Sequence, residues 1–142
     1  MSQCSDFALA QGYYGLALSY CGRWEEADEA ANRALRLSPR DPFSAVYYGI
    51  AAYAQFIGRN YDEAMRLSRE GIRQRGDFVG AHRVLTAAAS MAGHTDIARV
   101  ALQELRRAQP NISLGWLTSQ MPIMDDADRA QYLDGFRRAG LD

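Results

Sequence analysis

A chain of 142 residues with 48% hydrophobic and 23% charged side chains is long enough for one domain with a real core, which excludes a disordered chain and leaves no room for two large domains. Its net charge of -1 creates no global field for nucleic acid or an anionic membrane, so neither is expected as a partner. Every basic residue is arginine, which removes Schiff-base chemistry and phosphate-loop lysines.

Cys4 and Cys21 are too few for a disulfide framework or a structural zinc site and fit a reducing, cytoplasmic setting. No apolar run approaches the ~20 residues of a membrane helix, and Met1 to Phe7 lacks the basic-then-hydrophobic order of a signal peptide.

In chain order, apolar residues at helical spacing predict a helix over about 6–21, carrying Tyr14-Gly15 and Leu18. The turn at Gly22-Arg23 opens a second helix over 24–37 with the stripe Ala27, Ala31, Ala34, Leu35, which must stop before Pro39. Asp41-Pro42 reads as an N-cap followed by a proline in the first turn. The helix after it, 43–57, carries Tyr48-Gly49 and Ala52 and is expected to run about one turn longer, because Gly49 to Ala64 spans 15 residues where Gly15 to Ala27 spans 12. Gly58-Arg59-Asn60-Tyr61 opens 61–74, with Ala64, Leu67, Gly71 and Ile72, ending before Gly76. A helix over 79–92 with Leu85-Thr86 and Ala89 leads through Gly93-His94 to 95–108, with Ala98, Ala101, Leu102 and Leu105 ahead of Pro110. The segment from Asn111 to Met124 leaves the pattern. Asp125 to Gly140 reads as one amphipathic helix whose stripe is Ala130, Leu133, Phe136 and Ala139.

Turn glycine, small alanine and helix stop recur in one phase: Ala27, Ala64 and Ala98 lie 37 and 34 residues apart, and Pro39, Gly76 and Pro110 each follow twelve residues later. No stretch alternates at period two, so a sheet is not expected. The expected architecture is all-α: a right-handed α-solenoid of three helix pairs, over about 8–41, 42–78 and 79–112, within one domain 1–142. Its C-terminal capping helix, in 113–142, covers the apolar face of the last repeat.

On these residues the chain resembles the tetratricopeptide repeat family, whose period is about 34 residues. More narrowly it is similar to the C-terminal repeat region of bacterial class III adenylate cyclases and related signalling regulators. That similarity rests on Leu35-Arg36-Leu37-Ser38-Pro39-Arg40-Asp41-Pro42, on the helix before Gly58-Arg59-Asn60-Tyr61, and on the ending Asp128 to Leu141. The resemblance implies a module that binds a protein, a peptide or an adjacent domain of a larger parent, or else a stand-alone adaptor. It implies no catalysis and no cofactor. The first helix has no upstream neighbour, which is expected of a piece of a longer protein or of a surface that pairs with a second copy in a homodimer. The chaperone-tail type of repeat carries lysine and asparagine on its groove, whereas Gly12, Leu16 and Val46 stand at the matching stretch here.

His82 and His94, one on a first helix and one in a turn, form no ligand triplet, and a lone helix histidine is more often packed or solvated than a ligand. Asp125, Asp126 and Asp128 suit the positive end of a helix without a metal. Arg66, Arg69, Arg73 and Arg75, then Arg106 and Arg107, place charge on second helices. On the outer surface of such a stack that charge serves solubility more often than nucleic-acid binding. Tyr13, Tyr14, Tyr20, Tyr47, Tyr48 and Tyr53 are too many for a core. First-helix residues off the packing stripe line a concave groove in the family, so the phase selects Leu16, Tyr20, Val46, Ile50, Tyr53, Arg83, Ala87 and Met91 as partner-binding candidates.

Overall fold

The computed structural model describes residues 3–142 of the predicted domain 1–142, and those residues form eight α-helices and no strand. The helices are α1 (Gln3–Tyr20), α2 (Trp24–Leu37), α3 (Ser44–Ile57), α4 (Tyr61–Gln74), α5 (Val79–Met91), α6 (Thr95–Ala108), α7 (Leu114–Gln120) and α8 (Asp126–Ala139). The first six pack as consecutive antiparallel pairs, each pair against the next, with α1, α3 and α5 side by side on one surface. This is a helical repeat solenoid. None of these helices is long and apolar enough to cross a membrane.

Small residues let the paired axes approach. Ala27, Ala31, Ala64 and Ala98 are fully or almost fully buried, and a Cβ on Gly15 would stand 3.0 Å from the Ala27 carbonyl oxygen and 3.4 Å from the Ala30 methyl. The equivalent residue in the second repeat is Ala52, not Gly49, whose missing Cβ instead admits the Phe78 ring at 2.6 Å. The helix α3 is therefore not lengthened: it has 14 residues, like α2 and α4. The 15 residues from Gly49 to Ala64 reflect the wrong pairing of Gly49, and of the three extra residues between Ala27 and Ala64 two lie in the connection 38–43, longer than its counterpart 75–78. In that connection Asp41 is not the N-cap of α3. It accepts the Phe43 amide at 2.8 Å through Oδ1 and the Ser44 amide at 2.9 Å through its carbonyl, closing a turn ahead of a helix that starts at Ser44.

The turns inside the pairs all use one left-handed residue, at Gly22 (φ 81°), Arg59 (φ 62°) and Gly93 (φ 85°). The second turn thus departs from the expected glycine. Gly58 has φ -75° and is small because the Trp24 indole packs within 2.5 Å of where its Cβ would be. Arg59 bears the left-handed conformation and donates from Nη1 to the Ile57 carbonyl and to Asp128 Oδ1, at 2.6 and 2.9 Å. Arg59→Gly should accordingly be more stable than Arg59→Ala by about 1 kcal/mol, since both lose the Asp128 contact but only glycine relieves the backbone. Chemical denaturation of the two variants measures this. The opposite order would refute the strain.

Two helices, rather than the single expected cap, follow the repeats. The short α7 starts at Ser113, whose Oγ accepts the Trp116 amide at 2.9 Å. The longer α8 is capped by Asp125, which accepts the Asp128 amide at 2.9 Å. It does not extend the stack as a further first helix. It packs mainly on α5, and less on α6 and α7, with Gly135 so close that a Cβ there would meet the Ala87 carbonyl oxygen at 2.9 Å. Its buried face is Asp128, Gln131, Tyr132, Gly135 and Phe136, rotated from the expected stripe, and Ala130 is exposed. The rotation has a polar cause. Asp128 meets Arg59, and Gln131 accepts the Tyr61 hydroxyl at 2.7 Å, so two polar residues are buried with partners.

Candidate functional site

The first helices α1, α3 and α5 stand side by side and share one surface. Leu16 and Tyr20 stand one turn apart on α1, Val46, Ile50 and Tyr53 do so on α3, and Arg83, Ala87 and Met91 on α5. Six of these eight, namely Leu16, Tyr20, Val46, Ile50, Tyr53 and Arg83, line a single cavity of about 440 Å³. Ala87 and Met91 do not reach it. Ala87 is fully buried beneath Gly135, and Met91 packs against the main core, because α8 lies across that half of α5.

The remaining walls come from residues outside that phase: Gly49 on α3, Arg75, Asp77 and Phe78 in the connection to α5, Val79, Gly80 and Val84 on α5, and Met121 and Tyr132 from the C-terminal segment. The Phe78 ring sits against both Gly49 and Gly80, where a Cβ would meet it at 2.6 and 2.7 Å. Glycine at both positions was the available signal for a ring held there. Met121 and Tyr132 carried no such signal, since nothing local shows that the chain doubles back. It does so through Met124, whose amide donates to the Tyr20 carbonyl at 2.9 Å. That bond ties the segment to the end of α1.

Aromatic rings connect the cavity to the core. Tyr20 and Tyr53 lie 5.6 Å apart, Tyr53 and Tyr132 5.4 Å, and Tyr132 meets Phe56 and Phe136 edge-on at 5.3 and 5.0 Å. Burial raises the pKa of the Tyr20, Tyr53 and Tyr132 hydroxyls, while the positive charge of Arg83 acts in the opposite sense on Tyr20 and Tyr132. The Tyr53 hydroxyl is buried without a hydrogen-bond partner. Arg83 donates from Nε and Nη2 to Gln109 Oε1 at 3.0 and 2.8 Å, and its guanidinium lies 4.9 Å from the centre of the Trp116 ring.

The other candidate groups have local roles. His82 Nε2 lies 2.7 Å from the Gly76 carbonyl oxygen, and His94 precedes α6 with Asp62 at 3.9 Å. On the second helices, Arg33, Arg66, Arg73 and Arg107 each pair with a glutamate one turn earlier, which breaks up the positive stripe. Tyr13 and Tyr14 are exposed on α1, together with Phe7. Tyr47 is enclosed, its hydroxyl 3.4 Å from Asp41 Oδ2. No family model and no curated protein matches the chain.

Proposed function

We propose that this chain is a non-catalytic protein-interaction module of the tetratricopeptide type, acting in the cytoplasm as the regulatory or scaffolding C-terminal part of a bacterial signalling protein such as an adenylate cyclase. The observation that carries this reading is the convergence of six phase-selected side chains on one apolar, tyrosine-rich cleft between the first helices. Large aromatic side chains with a polar tip contribute contact area at low entropic cost, as interface anchors do. The partner is a protein, a peptide or an adjacent domain of the same parent, entering from the open side of the cleft. A second reading, self-association through α1, is favoured by Phe7, Tyr13 and Tyr14, which are 57%, 51% and 54% exposed on that helix.

One set of variants separates the readings. Leu16→Glu and Val46→Glu place charge on half-buried cleft positions and should weaken capture of a partner from the source cells by about tenfold or more, while the outer Arg73→Ala changes affinity by well under about 1 kcal/mol. Sedimentation over a concentration range follows self-association, for which Tyr13→Glu and Tyr14→Glu are the disruptive changes. Cleft variants that bind like the parent, with losses confined to the α1 variants, would transfer the function to α1. Turnover of a nucleotide substrate by the chain alone would overturn the non-catalytic reading.

A further inference from the structure

The cleft has a chemistry of its own that a flat protein surface does not need. Its volume of about 440 Å³ falls within the range of small-molecule sites, about 300–1,000 Å³. Leu16, Val46, Ile50 and Phe78 make it apolar, and Met121 and Tyr132 close it on the side of α8. Met124 is bonded to Tyr20 on that same side.

One charge faces this apolar space without a counter-ion. Arg83 is half-buried and pairs with no carboxylate among the described residues, both of its hydrogen bonds going to the neutral oxygen of Gln109. Its Nη1 is not used. Gln109 and Trp116 hold the guanidinium plane in place, so binding an anion would cost little ordering. At the rim, Arg75 and Asp77 neutralise one another at 3.2 Å. The Tyr53 hydroxyl, also without a partner, is itself buried and offers a ligand no accessible donor.

We propose that this cavity binds a small organic anion with an apolar body, an aryl or branched-alkyl carboxylate, its carboxylate at Arg83 and its body against Leu16, Val46, Ile50 and Phe78. A cation over the tyrosine rings is disfavoured by the same arginine. The proposal does not depend on a protein partner, so failure of partner capture leaves it standing. A ligand seated here would compete with any partner that enters the cleft.

Calorimetry on the whole chain tests this with 4-phenylbutyrate, its neutral amide and acetate. The acid should bind at least about tenfold more tightly than the amide, and acetate should bind more weakly than either, because charge and apolar body are both required. Arg83→Gln should abolish the preference for acid over amide, and Val46→Trp, which fills the cavity from a half-buried wall, should abolish binding of both. Thermal melts establish that the variants are folded. Equal binding of acid and amide by the parent chain, a preference that survives Arg83→Gln, binding that survives Val46→Trp, or no binding of the acid at millimolar concentration each overturns the proposal.

Discussion

Replacing Phe136 with alanine is expected to destabilise the protein by about 3–5 kcal/mol, a large share of the 5–15 kcal/mol typical of a domain. Phe136 is fully buried and stands edge-on to Tyr132 at 5.0 Å, so its removal leaves a cavity that the close approach of Gly135 to the Ala87 backbone prevents from collapsing. Denaturant unfolding measures the loss as a fall in midpoint. Val100→Ala, at a residue 58% exposed, should change stability by less than about 0.5 kcal/mol. A loss below about 1 kcal/mol for Phe136→Ala would mean that α8 is not packed on the first helices as described.

Alkaline unfolding should be early and steep. Burial raises the pKa of Tyr53 and Tyr132, and that of Tyr47 is pushed up to about 12 with Asp41 adding to the effect. An acid whose pKa is raised in the folded state keeps its proton there after the unfolded chain has lost it. Its stability contribution is therefore complete below about pH 10, the unfolded tyrosine value, and is lost as the pH climbs toward the folded value. At pH 11 a tyrosine still protonated when folded costs about 1.4 kcal/mol, so Tyr53 and Tyr132 together remove about 3 kcal/mol. Tyr47, fully buried and bonded to Asp41, acts in the same direction until the pH reaches its own folded value. Circular dichroism against pH should show a loss of helix starting just above pH 10, moved to higher pH in Tyr53→Phe. Unchanged stability to pH 12 would contradict the burial of these hydroxyls.

The repeats were legible because their markers are local. The phase of Ala27, Ala64 and Ala98 places α2, α4 and α6 at the residues observed, since small residues, turn residues and helix stops act within one helix pair. The pairing of Gly49 with Gly15 failed for a different reason. A glycine marks a close approach without saying what approaches, and at Gly49 it is the Phe78 ring. The seven residues of α7 are too few for a period to show, although Ser113 was a usable cap signal. The buried face of α8 was hidden because an apolar stripe cannot include Asp128 and Gln131, which enter the interior only with Arg59 and Tyr61 as partners. For the cleft, the 3.6-residue period combined with the family resemblance selected Leu16, Tyr20, Val46, Ile50, Tyr53 and Arg83, which line one cavity. It could not reveal that α8 covers Ala87 and leaves Arg83 open.

The return of α8 across the first helices also determines the order in which the chain can assemble. Helix pairs that meet only their neighbours close short loops and can form quickly from any starting point. The links from α8 and the segment before it join Arg59 to Asp128, Tyr61 to Gln131 and Tyr20 to Met124, and their site does not exist until α1, α3 and α5 stand side by side. Docking of α8 is thus expected to be the last and most non-local event of folding. Once made, it touches all three repeats, so that an array built from separable units is expected to open as one cooperative body.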